Sequence, residues 1–324
     1  MRDLSRREFL RDGATCAGHL ALAAAFAPSL GRALWAQQPA GRVVRSEPFG
    51  RLEQVAEGVW ALISTPLNGD RTTLSNGGLI AGRDGVLAIE GFMTPEGARW
   101  LAGQARTLTG RWPTHVVLTH YHADHSSGVA GYLGEGASPL VQVTPETVSL
   151  VERAAPAQRT PADDARLEAL SHATSPGDEI DLGGRRVRLV RRRGHTASDV
   201  TLAVDDPSIV FTGDLVWNAM FPNYVDATPS VLAASVRELA RARTTIYVPG
   251  HGAVAGAADL ARYQSMLDEV EQAARAAIAR GQSAADAAAA FTLSPSLGEW
   301  LLFNKVFFER AFAAWARELH PGKG

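Results

Sequence analysis

The sequence predicts an α/β fold built from two successive strand–helix halves, followed by a helical C-terminal segment. Three observations predict this class. Short apolar runs bounded by turn residues alternate with a helical stretch in each half, loops carrying histidine and aspartate follow strands in both halves, and helical patterning takes over after residue 256. Because the two halves have the same arrangement of strands, helix and ligand-bearing loops, we expect a single pseudo-duplicated domain over 55–256. A helical extension over 257–324 is expected to pack on it.

The composition allows a large buried core and excludes several classes of protein. Of the 324 residues, 46% are hydrophobic and 20% are charged, which excludes disorder, collagen and coiled coil. The 32 basic and 34 acidic residues give a formal net charge of −2, so the sequence predicts no nucleic-acid partner. The single cysteine, Cys16, excludes a disulfide framework and a cysteine-rich zinc site. The oligomeric state stays open.

Residues 1–36 have the pattern of an export signal. Arg6 and Arg7 precede Phe-Leu and an Ala/Leu-rich run over 14–27, and small residues end the segment. The arginine pair resembles the twin-arginine export signal of bacteria. The apolar run is shorter than the ~20 residues that span a bilayer, so we expect cleavage rather than a membrane anchor. The mature protein is then expected to be periplasmic or secreted after passing the twin-arginine machinery, and to have no stable membrane span.

The first half of the mature chain, after a polar linker predicted over 37–54, consists of short strands and one helix. Arg83-Asp84-Gly85 is typical of a hairpin turn. A helical pattern begins near Pro95 and ends at Gly110. These signals predict strands over 59–63, 77–81, 86–89 and 115–119, and a helix over 95–110.

The second half repeats this arrangement. Turn residues at Gly183-Gly184 and at Asp205-Asp206-Pro207 separate its strands. The pattern predicts a hairpin over 180–190, strands over 200–204, 209–211 and 245–248, and a helix over 229–243. Ala/Glu/Arg-rich and strongly apolar segments then predict helices over 258–280 and 300–319.

A cluster of metal-ligand side chains follows the strand predicted over 115–119. Within six residues the chain carries His120, His122, Asp124 and His125. Imidazole and carboxylate are the ligands that suit a divalent metal such as zinc. Burying four such groups without partners is expensive, so the cluster predicts a metal site rather than a structural role.

Three later loops supply further ligands of the same kind. Gly194-His195-Thr196, Thr212-Gly213-Asp214 and Pro249-Gly250-His251 each follow an apolar strand. Each motif is a weak signal by itself. Taken in this order after the first cluster, they jointly predict that His195, Asp214 and His251, each at the C-terminal end of a strand, are further metal ligands.

Together these motifs resemble the metallo-β-lactamase-fold superfamily of binuclear metallohydrolases, over roughly residues 55–256. The resemblance implies a four-layer αβ/βα sandwich with the site along one edge. It also implies one metal bound by three histidines, a second bound by one aspartate and two histidines, and a bridging aspartate. Carried over to this sequence, these are His120, His122 and His195 for metal 1, Asp124, His125 and His251 for metal 2, and Asp214 as the bridge.

The resemblance further implies the chemistry. Two divalent ions are expected, Zn²⁺ with Fe or Mn as alternatives, and a metal-bridging hydroxide attacks the carbonyl of an ester, thioester, lactone or amide. Asp124 is the expected catalytic residue, which orients the hydroxide and passes its proton to the leaving group. Ser126, Thr196 and Asp199 are candidates for hydrogen bonds that orient the ligands. Glu90 stands where many family members have aspartate.

Single positions separate the subfamilies. The stretch 213–218 is similar to exported family members related to glyoxalase II, including those found beside quinoprotein dehydrogenases. His122 stands where flavodiiron proteins have glutamate, and Asp214 stands where true metallo-β-lactamases generally have cysteine or serine, so β-lactam hydrolysis is expected only as a weak side activity. A mono-iron persulfide dioxygenase of the same fold, and a non-catalytic relay protein, stay open as alternatives.

Aromatic and amide side chains lie close to the predicted ligands in sequence. A small-molecule substrate is expected, and its candidate contacts are Tyr121, Trp217, Asn223 and Tyr224. Packing of the loops is an equally good interpretation of these four residues.

Overall fold

Two mixed β-sheets stack face to face in the computed structural model, which describes residues 40–65, 69–134, 136–154 and 159–320. Helices cover both outer faces, so the four-layer sandwich of the predicted fold class is confirmed. The export signal predicted over residues 1–36 lies outside the described residues. No helix in the described ranges combines the length and the apolar character that crossing a bilayer requires.

The first sheet has seven strands in sequence order, of which β1 to β5 are antiparallel and β5, β6 and β7 are parallel. Its strands are β1 (Arg42–Glu47), β2 (Gly50–Ala56), β3 (Val59–Ser64), β4 (Gly77–Ala81), β5 (Val86–Ile89), β6 (His115–Val117) and β7 (Leu140–Gln142). The parallel pairing of β5 and β6 needs a crossover, which the helix α1 (Pro95–Thr109) supplies. Gly110, in the left-handed region with φ of 76°, ends this helix as its sequence predicts.

The prediction of a linker over 37–54 is wrong, because β1 and most of β2 lie within this range. Strand β1 is at the edge of the sheet, and its side chains are exposed or half-buried throughout. An edge strand of this kind has no buried face, so it shows no alternation of apolar and polar residues in the sequence.

The second sheet has five strands in the order β12-β11-β10-β9-β8, and only β11 and β12 are parallel. Its strands are β8 (Glu179–Asp181), β9 (Arg186–Arg191), β10 (Val200–Val204), β11 (Ile209–Trp217) and β12 (Ile246–His251). Strand β11 extends six residues beyond the strand predicted over 209–211. Its pairing with β12 is irregular on both sides of Gly213, which marks a distortion of the strand beside Asp214.

The inner faces of the two sheets form one apolar layer. Ile80 and Leu87 from the first sheet, for example, belong to the same buried cluster as Phe211 from the second. Because both sheets are also covered on their outer faces, several strands are buried along their whole length and read as continuous apolar runs, as in β10 and β11.

Helices form the two outer layers. On the first sheet lie α1, α3 (Pro145–Ala154) and α4 (Pro161–Ser171), and the short α2 (Ala123–Ser126) and a 3₁₀ turn (Val129–Tyr132) follow β6. On the second sheet lie α5 (Pro229–Arg237), α6 (Ala257–Ala279), α7 (Ala284–Ala290) and α8 (Val306–Leu319), with a 3₁₀ turn (Pro295–Leu297). The sequence pattern does not predict α3, α4 and α7. In α4 only Ala169 and Leu170 are buried, so this helix carries little apolar periodicity to detect.

The C-terminal helices belong to the outer layer of the second sheet and reach towards the metal-ligand side chains. Phe307 of α8 is fully buried, and its ring centroid lies 6.4 Å from that of Trp217. The Trp217 ring in turn lies over the imidazole of His251, with centroids 4.0 Å apart. Helix α8 therefore supports one wall of the predicted site through a single aromatic layer.

We expect Phe307→Ala to lower the free energy of unfolding by about 3–5 kcal/mol, because it removes a buried ring and leaves a cavity beside Trp217. Denaturant unfolding followed by circular dichroism measures this change. The matched control is Glu309→Ala on the exposed side of the same helix, with an expected change within about 0.5 kcal/mol. Equal stability of the two variants would contradict the proposed packing of α8.

Candidate metal centre

The predicted ligands meet at one edge of the sandwich. The cluster at 120–125 follows β6, His195 lies in the loop between β9 and β10, and His251 is the last residue of β12. Asp214 lies inside β11 rather than after it, where the strand is distorted. All seven side chains are buried, with residue exposures of 2% or less.

One group of ligand atoms gathers four of these residues. His120, His122, His195 and Asp214 each offer one atom, and these atoms lie within 4.8 Å of one another. The Nδ1 of His122 lies 3.1 Å from Nε2 of His120 and 3.0 Å from Nε2 of His195. Asp214 Oδ2 lies 3.3 Å from Nε2 of His195 and 3.8 Å from Nε2 of His120.

A second group lies on the other side of Asp214. Asp124, His125 and His251 offer atoms that also lie within 4.8 Å of one another. Asp124 Oδ2 is 3.4 Å from Nε2 of His251 and 3.7 Å from Nε2 of His125. Asp214 Oδ1 is 3.1 Å from Nε2 of His125 and 3.3 Å from Nε2 of His251. One carboxylate oxygen of Asp214 thus faces each group.

The polar atoms at the centre fit metal ions better than they fit one another. Within the described ranges, both carboxylate oxygens of Asp124 and Asp214, and Nε2 of His125 and His251, have no hydrogen-bond partner. Buried polar atoms without partners are costly, whereas divalent ions accept lone pairs from this set of nitrogen and oxygen donors. The buried cluster is therefore consistent with a binuclear metal site.

The charges around the cluster separate its histidines into two kinds. Burial lowers the pKa of His120 well below its ordinary value and that of His195 to about 3. Burial acts the same way on His251, but the neighbouring carboxylates, led by Asp214, outweigh it and raise its pKa to about 9. The pKa of Asp214 lies well below its ordinary value, because histidines led by His251 outweigh the effect of burial. Asp214 consequently stays ionised.

Glu90 orients one of the ligands, a role that its position in the sequence left undecided. Its Oε1 accepts hydrogen bonds from the Thr119 hydroxyl and from Nδ1 of His125, the latter at 2.9 Å. Its Oε2 accepts the Thr119 N–H at 3.1 Å. With Nδ1 held in this way, Nε2 of His125 points into the site. The longer side chain of glutamate therefore supports the site.

The three residues predicted to orient ligands by hydrogen bonds act on the backbone of the ligand loops. Asp199 accepts the N–H of His195 and of Thr196 and the Thr196 hydroxyl, and burial raises its pKa to about 7. Ser126 donates to the carbonyls of Tyr121 and His122, at 2.8 and 2.7 Å. These bonds fix the shape of both loops without touching the imidazole rings.

Asp226 contacts the site and was not identified from the sequence. Its Oδ2 accepts a hydrogen bond from Nε2 of His122 at 2.8 Å and another from the Tyr121 hydroxyl. The sequence places Asp226 in an irregular stretch after β11, shortly before Thr228-Pro229, where an acid is ordinary near the start of a helix. No local spacing links it to His122, which is 104 residues away.

The four residues predicted to contact substrate are buried and bonded or packed against other side chains. Trp217 lies between His251 and the aromatic side chains of the C-terminal segment, and Tyr224 lies against Phe221. Asn223 accepts hydrogen bonds from the Arg310 guanidinium and from a backbone N–H, and the Tyr121 hydroxyl is bonded to Asp226. These contacts account for packing, and substrate binding by these residues stays a prediction.

Comparisons with known proteins give one consistent relationship. A family model described as the Metallo-beta-lactamase superfamily matches residues 71–251. The chain is 33% identical over 200 residues to a hydroxyacylglutathione hydrolase of Acidiphilium cryptum, covering 61% of this chain and 72% of that protein. It is 28% identical over 131 residues to a hydroxyacylglutathione hydrolase of Rhodobacter capsulatus, covering 40% of this chain and 44% of that protein. The match thus spans less than half of the second relative.

Solved structures share the fold. A metallo-beta-lactamase from Pontibacter korlensis superimposes with a TM-score of 0.55 and 20% identity, covering 67% of this chain and 98% of that one. The sec-alkylsulfatase Pisa1 from a Pseudomonas species gives a TM-score of 0.60 and 16% identity, covering 84% of this chain and 51% of that one. At these identities the likeness concerns the fold alone.

We expect Asp214→Ala to lower the content of both metal ions, because the same carboxylate faces both groups of ligands. Plasma emission analysis of purified protein should show about two divalent ions per wild-type chain and fewer than one in the variant. Glu152→Ala, which removes an exposed acid on α3, is the control and should keep the wild-type content. Full metal loading of Asp214→Ala would refute the interpretation that Asp214 binds both metal ions.

Proposed function

The chain belongs to the metallo-beta-lactamase superfamily as a hydrolase with a buried His/Asp metal site, and we propose that it uses two divalent ions, Zn²⁺ in the first place, to hydrolyse an acyl thioester. The observation that carries the two-ion proposal is the placement of Asp214, with one oxygen facing each group. A single ion would leave one of the two groups of buried donors without a partner.

The bound ions would supply an activated water at neutral pH and polarise the carbonyl of the substrate. The side chains then have separate tasks. With ions bound, His120, His122 and His195 would hold one position, while Asp124, His125 and His251 would hold the other. Asp214 faces both groups and would offset the positive charge of the ions.

Asp124 has the arrangement required of the proton-handling group. Both of its oxygens are buried and lack hydrogen-bond partners among the described residues, and Oδ2 faces the imidazoles of His125 and His251. The pKa of Asp124 is below its ordinary value, because His125 and His251 outweigh the effect of burial. An ionised carboxylate here can accept the proton of the attacking water at Oδ and deliver it to the leaving group.

The thioester class is supported by the relatives. Hydroxyacylglutathione hydrolases are the proteins with which this chain shares 33% identity over 200 residues and 28% over 131 residues. A thiolate leaves readily, so a thioester makes a small demand on protonation of the leaving group. The proposal therefore places thioesters ahead of oxygen esters, lactones and amides, with β-lactam hydrolysis as a weak side activity.

We predict that the metal-loaded protein has its highest kcat/KM for an S-(2-hydroxyacyl)glutathione thioester, within a panel that also holds an aryl ester, a lactone and a chromogenic cephalosporin. Thiol release, read with a disulfide reagent, measures the thioester reaction. Asp124→Asn should lower kcat by about 10²–10⁴-fold, because it removes the proton acceptor and keeps the shape of the side chain. Metal content is measured on each sample, so that a loss of activity is separated from a loss of ions.

The outcomes of this panel are distinct. Faster hydrolysis of the lactone or the cephalosporin would contradict the thioester class and leave the two-metal site standing. One iron per chain, with oxygen consumption on a persulfide substrate, would instead establish the dioxygenase alternative. Unchanged kcat in Asp124→Asn, at full metal content, would remove Asp124 from proton transfer.

We also propose that the protein is exported by the twin-arginine route and acts in the periplasm or outside the cell. The support is the pair Arg6 and Arg7 before an apolar run. Replacing both arginines by lysine should retain the protein in the cytoplasm with its N-terminal segment intact, as read by fractionation and intact mass. Arg11→Lys is the control, since Arg11 lies outside the pair. Normal export of the double variant would refute this route.

A further inference from the structure

The imidazole of His122 is turned the opposite way from its two neighbours in the first ligand group. His120 and His195 face the group with Nε2, whereas His122 faces it with Nδ1. A histidine can bind a metal only through a nitrogen that carries a lone pair, and the proton must then sit on the other nitrogen. Whether His122 can bind a metal through Nδ1 therefore depends on which group forms a hydrogen bond with its Nε2.

Asp226 holds that nitrogen. The distance from His122 Nε2 to Asp226 Oδ2 is 2.8 Å, and a carboxylate is an obligatory acceptor here, so Nε2 carries the proton. The same oxygen accepts the Tyr121 hydroxyl. Two donors from neighbouring residues of one ligand loop thus converge on a single oxygen of Asp226.

Asp226 is itself held by the rest of the fold. The loop that carries it is tied to α8, where Arg317 donates to the carbonyl of Val225 at 3.4 Å and Arg310 donates to the Asn223 side chain at 3.1 Å. On its other side, the N–H of Thr228 donates to the carbonyl of Gly194, beside His195. Because the loop is fixed on both sides of Asp226, its carboxylate can impose an orientation on an imidazole.

We propose that Asp226 is a positioning residue for the metal centre, which locks His122 in the Nε2–H tautomer and aims its Nδ1 at the position shared with His120 and His195. Glu90 does the same for His125 from the first sheet, where it accepts the opposite nitrogen, Nδ1. The proposal rests on the proposed two-metal function. Of the two metal positions, the one formed by His120, His122 and His195 depends on Asp226.

The test is a competition of the full-length protein with a chromogenic chelator for Zn²⁺. Asp226→Ala should weaken one of the two bound ions by about 10–100-fold and leave the other near its wild-type affinity. Asp226→Asn keeps an acceptor oxygen without the charge, so it should fall between the wild type and Asp226→Ala. Tyr121→Phe removes the other donor to the same oxygen and should keep both affinities.

Two further readouts separate positioning from a general structural role. The melting temperature of the metal-free Asp226→Asn protein should stay close to that of the metal-free wild type. In ¹⁵N spectra of the metal-free chain, the His122 signal should show the Nε2–H tautomer in the wild type and a mixture of tautomers in Asp226→Ala.

Each outcome has one meaning. A wild-type protein that binds no Zn²⁺ would overturn the proposed function itself. Two tightly bound ions in both the wild type and Asp226→Ala would overturn only the role of Asp226. A loss of affinity that is matched by unfolding of metal-free Asp226→Asn would also overturn it, because the aspartate would then support the fold rather than the imidazole.

Discussion

The carboxylate of Asp214, shared between two groups of buried histidines, is the constraint on which the rest of this structure depends. Its two oxygens face opposite groups at 3.1–3.8 Å, so the backbone must bring it between them with little tolerance. Two glycines make this approach possible. Gly213 has a φ of 52°, and a Cβ there would lie 2.6 Å from the Thr119 hydroxyl, while a Cβ on Gly250 would lie 1.9 Å from Asp214 Oδ1. The distortion of β11 is therefore a requirement of the site.

The two sides of the sandwich contribute symmetrically to the histidines that follow β6. Glu90, from the end of the first sheet, accepts the Nδ1 side of His125, and Asp226, from beyond the second sheet, accepts the Nε2 side of His122. The two carboxylates hold opposite nitrogens, so His122 faces its group of ligands with Nδ1 and His125 faces the other group with Nε2. The orientation of each imidazole thus depends on a carboxylate from outside the loop. The C-terminal helices also contribute to this orientation, because α8 holds the loop that carries Asp226.

The parts of the fold that the sequence predicts are those whose signal is local. Continuous apolar runs between turn residues predict the inner strands, and a ligand after each strand predicts the edge where the ligands meet, because strand ends converge in a sheet. Strand β1 escapes prediction because an exposed edge strand buries no face. Asp226 escapes because its partner is 104 residues away. The packing of Trp217 escapes because it depends on Phe307 of α8. These two misses depend on contacts between distant segments.

Charge explains why protons and metal ions compete for this site. Two ionised carboxylates, Asp124 and Asp214, lie buried together, and in the metal-free chain His125 and His251 respond with pKa values above their ordinary range. Both imidazoles offer Nε2 to the second group and can bind an ion only after losing that proton. Because the neighbouring carboxylates, led by Asp214, raise the pKa of His251 to about 9, a proton would compete with a metal ion for its Nε2 below that pH, and we expect metal affinity to fall as the pH falls. Protons and metal ions are thus alternative ways of balancing the same buried carboxylates, and the ions do so with coordination that protons cannot supply.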